Sequence, residues 1–167
     1  MPTPQFIREA RAKIGNALLH VPTVAVLAHD DQGRLLLVQD VHDGTWTCPG
    51  GIVEPYEVLA DAAVREAWEE SGIHVELIEI LGVYSGEHCI TVYPNGDQLS
   101  WVATIFSARA IGGSLSADQQ ETTSARFFAK SELEQLNLKE HLQWFLAMAE
   151  SGKSGHFAPA TWHPQDE

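Results

Sequence analysis

At 167 residues the chain has room for one domain with a substantial core and too little for two of ordinary size. Its 44% hydrophobic and 20% charged content is that of a folded protein, and 10 Lys plus Arg against 23 Asp plus Glu leave a net charge of −13. That balance excludes a basic footprint for a nucleic-acid polymer or an anionic membrane surface, and no run of about 18 apolar residues offers a transmembrane span. The opening MPTPQFIREARAKIG carries charges where a signal peptide needs an apolar stretch, so a cytoplasmic location is expected. Cys48 and Cys89 lack CxxC spacing and make no disulfide framework.

Taken in chain order, Phe6, Ile7, Ala10, Ile14 and Leu18 recur at helical intervals and predict a short amphipathic helix within 1–18. The runs 21–28 and 34–39 are β-rich and apolar on both faces, which predicts a sheet covered on each side, with Asp30-Asp31-Gln32-Gly33 as a hairpin turn. A Gly-, Pro- and Asp-rich passage, 42–51, leads to a helical stretch, 57–71, that Gly72 ends. Ile73–Tyr84 reads as a strand, and 88–93 and 98–108 flank a turn at Tyr93-Pro94-Asn95-Gly96-Asp97. A loop, 112–120, precedes a strand at 123–129 and helices near 131–136 and 138–149. Alternating strands and helices with no linker predict one α/β domain over 19–149, followed by a loose tail over 150–167.

The helix 57–71 breaks helix rules at one place. At about 100° per residue, Ala60, Ala63, Val64, Ala67 and Trp68 form the expected buried face, and Glu66, Glu69 and Glu70 share a second arc. Like charges at these spacings disfavour a helix, and they stand in its last turns, where the macrodipole also disfavours negative charge. Arg65 is the one local base and points about 100° away from Glu66. Six acids and one base leave −5 over the 23 residues 51–73. Crowded oxygen ligands suit a hard divalent cation, although helix physics alone makes a solvated acidic face the commoner explanation. Trp46, Pro49, Gly50 and Gly51 add a tight passage where backbone can approach a ligand.

The run GIVEPYEVLADAAVREAWEESGI (51–73) resembles the Nudix box of the Nudix hydrolases. Gly51, Glu57, Arg65, Glu66, Glu69, Glu70, Gly72 and Ile73 fill all eight of its fixed positions. GTWTCPGGIVEP (44–55) is similar to the lead-in of that motif, and Arg126-Phe127-Phe128 with Ser131-Glu132-Leu133 resembles the family's last strand and following turn. Ala67 stands where a larger aliphatic is usual, and Tyr56 where glycine commonly precedes the first Glu. The resemblance implies an α/β/α sandwich around a central mixed sheet. It implies a hydrolase of the pyrophosphate link in a nucleoside diphosphate joined to another moiety, of nucleotide sugar, ADP-ribose or nucleoside triphosphate type. Glu66, Glu69 and Glu70 with the Gly50 carbonyl would hold Mg²⁺ or Mn²⁺, and Glu66, Glu70 or Glu121 would act as base. Gly51, Glu57, Arg65 and Gly72 would be structural, and a homodimer follows by family analogy.

This reading reconciles an acidic protein with an anionic substrate, because cations stand between carboxylates and phosphates. Trp46, Tyr56 and Tyr93 are candidate substrate contacts. No GxSxG elbow, P-loop or GxGxxG is present, and His88-Cys89 matches no structural zinc spacing. The alternative is a Nudix-like module that senses a ligand without turning it over. A diphosphate isomerase, with Cys48 as its cysteine, is a weaker third. The family's substrate markers are not in place at His88 and Cys89, so the substrate stays open within the class.

Overall fold

Alternate residues of a strand face opposite sides of its sheet, so strands apolar on both faces demand a cover on each. The computed structural model, which describes residues 3–160, satisfies that demand. Helix α1 is Gln5–Ile14; β1 Leu19–His29 and β2 Leu35–Asp40 follow, then the short strands β3 Trp46–Thr47 and β4 Gly50–Ile52. Helix α2 is Leu59–Ser71, before β5 Ile73–Tyr84, β6 Ile90–Val92, β7 Gln98–Gly113 and β8 Thr122–Phe128; α3 Lys130–Leu133 and α4 Glu140–Glu150 close the order. On one side Val24, Val26 and Ala28 of β1 join Phe106 of β7 under Ala62, Ala63 and Ala67 of α2. On the other Ala25 and Leu27 join Ile105 under Leu142 and Phe145 of α4. The alternation of β1 is thus divided between two cores, and the fold is an α/β/α sandwich. Among the described residues no helix is long and apolar enough to cross a membrane.

The sheet is mixed: β1 pairs β7 in parallel, and the remaining ladders are antiparallel. The expected β1–β2 hairpin closes only at its base, with His29 opposite Leu35. Beyond that pair the strands part. β4 pairs β1 from Thr23 to Ala25, and β8 pairs β2 along its length. Local pattern shows a turn but not which neighbour each strand takes: within the passage 42–51 β3 folds back on the adjacent β2, whereas β4 is received by the more distant β1. The parting of β1 from β2 opens the cleft described below.

Two expectations for α2 are corrected. Its buried face comprises Ala62, Ala63, Glu66, Ala67, Glu70 and Ser71, while Val64 and Trp68 are exposed. The helix rolls its glutamate edge toward the sheet, and Trp68 instead stacks on His74 at the surface, 4.3 Å between ring centres. Arg65 does reach Glu66, because a long guanidinium can bend back along the helix whatever direction its Cα–Cβ bond takes. The end at Gly72 is as expected, with φ 70° and its amide on the Trp68 carbonyl at 2.8 Å. The segment after α4 is tied to β5 as far as His156, whose amide donates to Leu81 and whose carbonyl accepts from Val83. The rest of the expected loose tail, 161–167, lies outside the described residues.

Candidate active site

The box is organised around Arg65. Its guanidinium clasps Glu57 with two bonds of 2.7 and 2.9 Å, and a third nitrogen donates to Glu66 at 2.8 Å and Glu69 at 3.0 Å. It also donates to the Ile52 carbonyl, tying the helix to β4. Planar bidentate pairing of this kind is what Arg offers and Lys does not. Glu57 in turn accepts the Glu54 amide and is held below the usual carboxylate range, chiefly by the bond from Arg65. Glu57, Arg65, Gly51 and Gly72 therefore stand where bracing parts would stand. A methyl on Gly51 would run into the Glu66 carboxylate, and one on Gly50 would strike the Val24 carbonyl oxygen.

Glu66 and Glu70 line a cleft of about 810 Å³ between the parted strands, and both are buried. Burial pushes the Glu66 carboxyl up to about 7 despite the opposing Arg65, and the charges of Glu69 and Glu121 add to it. Glu70 too is raised well above the usual carboxylate range, by burial and by the neighbouring Glu66 charge, with the Gly50 amide at 3.0 Å opposing the shift. Neighbouring carboxyls raised by burial, with one guanidinium shared among three glutamates, mark a place with less positive charge than negative. Glu121 lines the same cleft and is exposed. Thr122 anchors it there, its hydroxyl donating to the Glu70 carbonyl at 3.0 Å. Asp118 shapes the loop by accepting the amides of Gln120, Glu121 and Thr122.

The structure thus brings Glu66, Glu70, Glu121, Gly50 and Tyr93 to one cleft. It does not bring Glu69, which Arg65 holds, nor Trp46 and Tyr56. Trp46 packs edge-on against Phe128 at 4.8 Å, and Tyr56 stands fully in solvent with φ 71°. Among the described residues no three His, Cys, Asp or Glu side chains gather around one ion position. The donor set nevertheless fits a divalent cation: two hard oxygen ligands in a buried pair whose one positive neighbour, Arg65, is shared with Glu57 and Glu69. Cys48 is buried, and its thiol is pushed up to about 12 by burial and by Glu70, which removes it as a nucleophile.

Sequence reasoning missed Arg11, Lys139 and His141, all of which line the cleft. Nothing local marks them, since they arrive from the two ends of the chain. Asp118 did carry a signal: an Asp two to four residues ahead of a polar loop commonly accepts that loop's amides.

A family model described as NUDIX domain matches residues 19–148. An ADP-ribose pyrophosphatase of Methanocaldococcus jannaschii is 30% identical over 151 residues, covering 84% of this chain and 84% of that protein. A MutT-like protein of Streptomyces ambofaciens is 44% identical over 66 residues, covering 40% of this chain and 43% of that protein, so the chain spans under half the length of that relative. A NUDIX hydrolase structure from Nitrosomonas europaea superposes with a TM-score of 0.66 at 24% identity, covering 83% of this chain and 76% of that one, a likeness of fold.

Proposed function

The chain belongs to the Nudix hydrolase family, and from that premise we infer that it hydrolyses the pyrophosphate link of a nucleoside diphosphate joined to another moiety, with Mg²⁺ or Mn²⁺ at Glu66 and Glu70. The observation that carries this reading is the buried Glu66–Glu70 pair, whose raised carboxyls call for a cation. When bound, the ion supplies positive charge to the phosphate oxygens and acidity to a water molecule. The chain's own residues do the rest. Arg65 and Gly51 hold Glu66 in place, the Gly50 amide holds Glu70, and the Gly50 carbonyl is a further oxygen for the ion. Glu121, the most open of the three carboxylates, accepts the water's proton as its oxygen bonds to phosphorus and the bridging P–O bond breaks. The name of the Methanocaldococcus relative supports this substrate class. A cytoplasmic location and a homodimeric assembly belong to the same reading by family likeness.

Glu70→Gln keeps the shape of the side chain and removes its charge. Against a panel of nucleoside diphosphate derivatives with Mg²⁺ or Mn²⁺, the wild-type protein should release phosphate-bearing products, and the variant should lose about a hundredfold or more in kcat while melting as a folded protein. Equal behaviour of the two proteins across the panel removes the hydrolase reading.

A further inference from the structure

Beyond the glutamates the cleft changes character. Ile7 of α1, Trp101 of β7 and Phe145 of α4 give it apolar walls. Neutral hydrogen-bonding groups stand among them, including Thr91, which accepts the Trp101 indole N–H at 3.3 Å, and Thr47, 3.1 Å from Nε2 of His141. Among the described residues the second ring nitrogen of His141, Nδ1, has no hydrogen-bond partner. The imidazole lies against Trp101 and Phe145, with ring centres 5.8 and 5.4 Å away. Burial and the nearby Lys139 charge push His141 down to about 4, so the ring is neutral near pH 7, with one nitrogen donating and the other accepting.

The cations of the cleft are committed. Arg11 faces Asp97 at 3.5 Å, Arg65 holds Glu57, and Lys139 holds Asp43 at 2.8 Å and Asp40 at 3.0 Å. A second phosphate cluster at this end would find no Arg or Lys without a carboxylate. A flat, uncharged heteroaromatic ring suits the aromatic walls and the open Nδ1 of His141. The wall that completes the compartment is α1, which precedes the residues matched by the family model. Ile7 packs on Val21 and Leu99, and Arg11 donates to the carbonyls of Gly15, Ala17 and Gln98, so α1 is fastened to β7 and to the turn that follows α1 itself.

Resting on the site reading above, we propose that this compartment, closed on one side by α1, holds the nucleobase of the substrate, and that His141 reads the edge of its ring. The probes are nucleoside monophosphates, AMP, GMP, CMP and UMP, against ribose 5-phosphate, titrated calorimetrically into the full chain with Mg²⁺ present. The best base should bind the wild-type protein at least about tenfold more tightly than ribose 5-phosphate. His141→Leu should cut that advantage to about threefold or less with ribose 5-phosphate unchanged, and His141→Gln, which also donates and accepts, should keep most of it. Should His141→Leu fail to fold, Thr47→Val, which removes the hydroxyl beside the ring, makes the same comparison. A wild-type protein indifferent to the base, or a variant that weakens all probes alike, overturns the proposal. Base preference without turnover would sink the hydrolase reading alone, and turnover without base preference would sink this one alone.

Discussion

Two adjacent glycines do different work. At Gly50 a methyl meets the Val24 carbonyl, part of the β1–β4 ladder, and backbone cannot yield without breaking pairing. At Gly51 the nearest atoms are the tip of the Glu66 side chain, a flexible end rather than backbone. Gly50→Ala should therefore cost about 2 kcal/mol or more of stability in denaturant unfolding. Gly51→Ala should cost under about 1 kcal/mol yet lower kcat by about tenfold or more, because the displaced carboxylate is one of the pair. The reverse ranking would contradict the geometry. Both glycines were visible in the sequence as a tight passage. Their separate tasks were not, since each depends on an atom from a different element.

At the scale of elements, α2 is the instructive case. Its length and its glycine end were legible from periodicity and cap chemistry, because both are local. Its rotation was not. The sheet accepts the face holding Glu66 and Glu70, and hydrophobic periodicity alone would place Val64 and Trp68 inward. An element turned against its apolar pattern keeps that orientation at a cost that titrates. The folded Glu66 carboxyl sits at about 7 against an ordinary value of 4.5, and Glu70 is shifted the same way. The folded protein thus retains protons that the unfolded chain has already released. Without metal, the stability these two carboxyls contribute should be full below about pH 4.5 and fall as pH rises through about 7, while His141 and His29, both pushed down by burial, oppose the fall up to about pH 6.5. Calorimetric melting from about pH 6.5 to about pH 8 in chelator, above the histidine range, should show the decline, and Mg²⁺ should raise Tm more at the upper end. A metal-free protein whose Tm is level or rising over that range would deny that burial raises the pair.

The whole molecule depends on pairings between distant segments. The two-sided core could be anticipated from strands apolar on both faces, and the family motif located the acidic half of the cleft. Its other half could not be anticipated, because α1 and the start of α4 reach it only after β1 and β7 have aligned in parallel and α4 has packed on the opposite core. The completed molecule carries −13, and the substrate proposed for it is an anion. Cations bound as proposed at Glu66 and Glu70 would reverse the sign locally, but over distances of about 10 Å and more an approaching nucleotide meets the net field, which repels it. Salt screens that repulsion. With Mg²⁺ held saturating, the association rate of a nucleoside diphosphate should therefore rise a few-fold between about 0.02 M and about 0.2 M monovalent salt, opposite to the trend for an anion steered toward a basic cleft. Stopped-flow binding measures it, and a rate that falls with salt would mean that a positive surface, rather than the cation site alone, guides the substrate in.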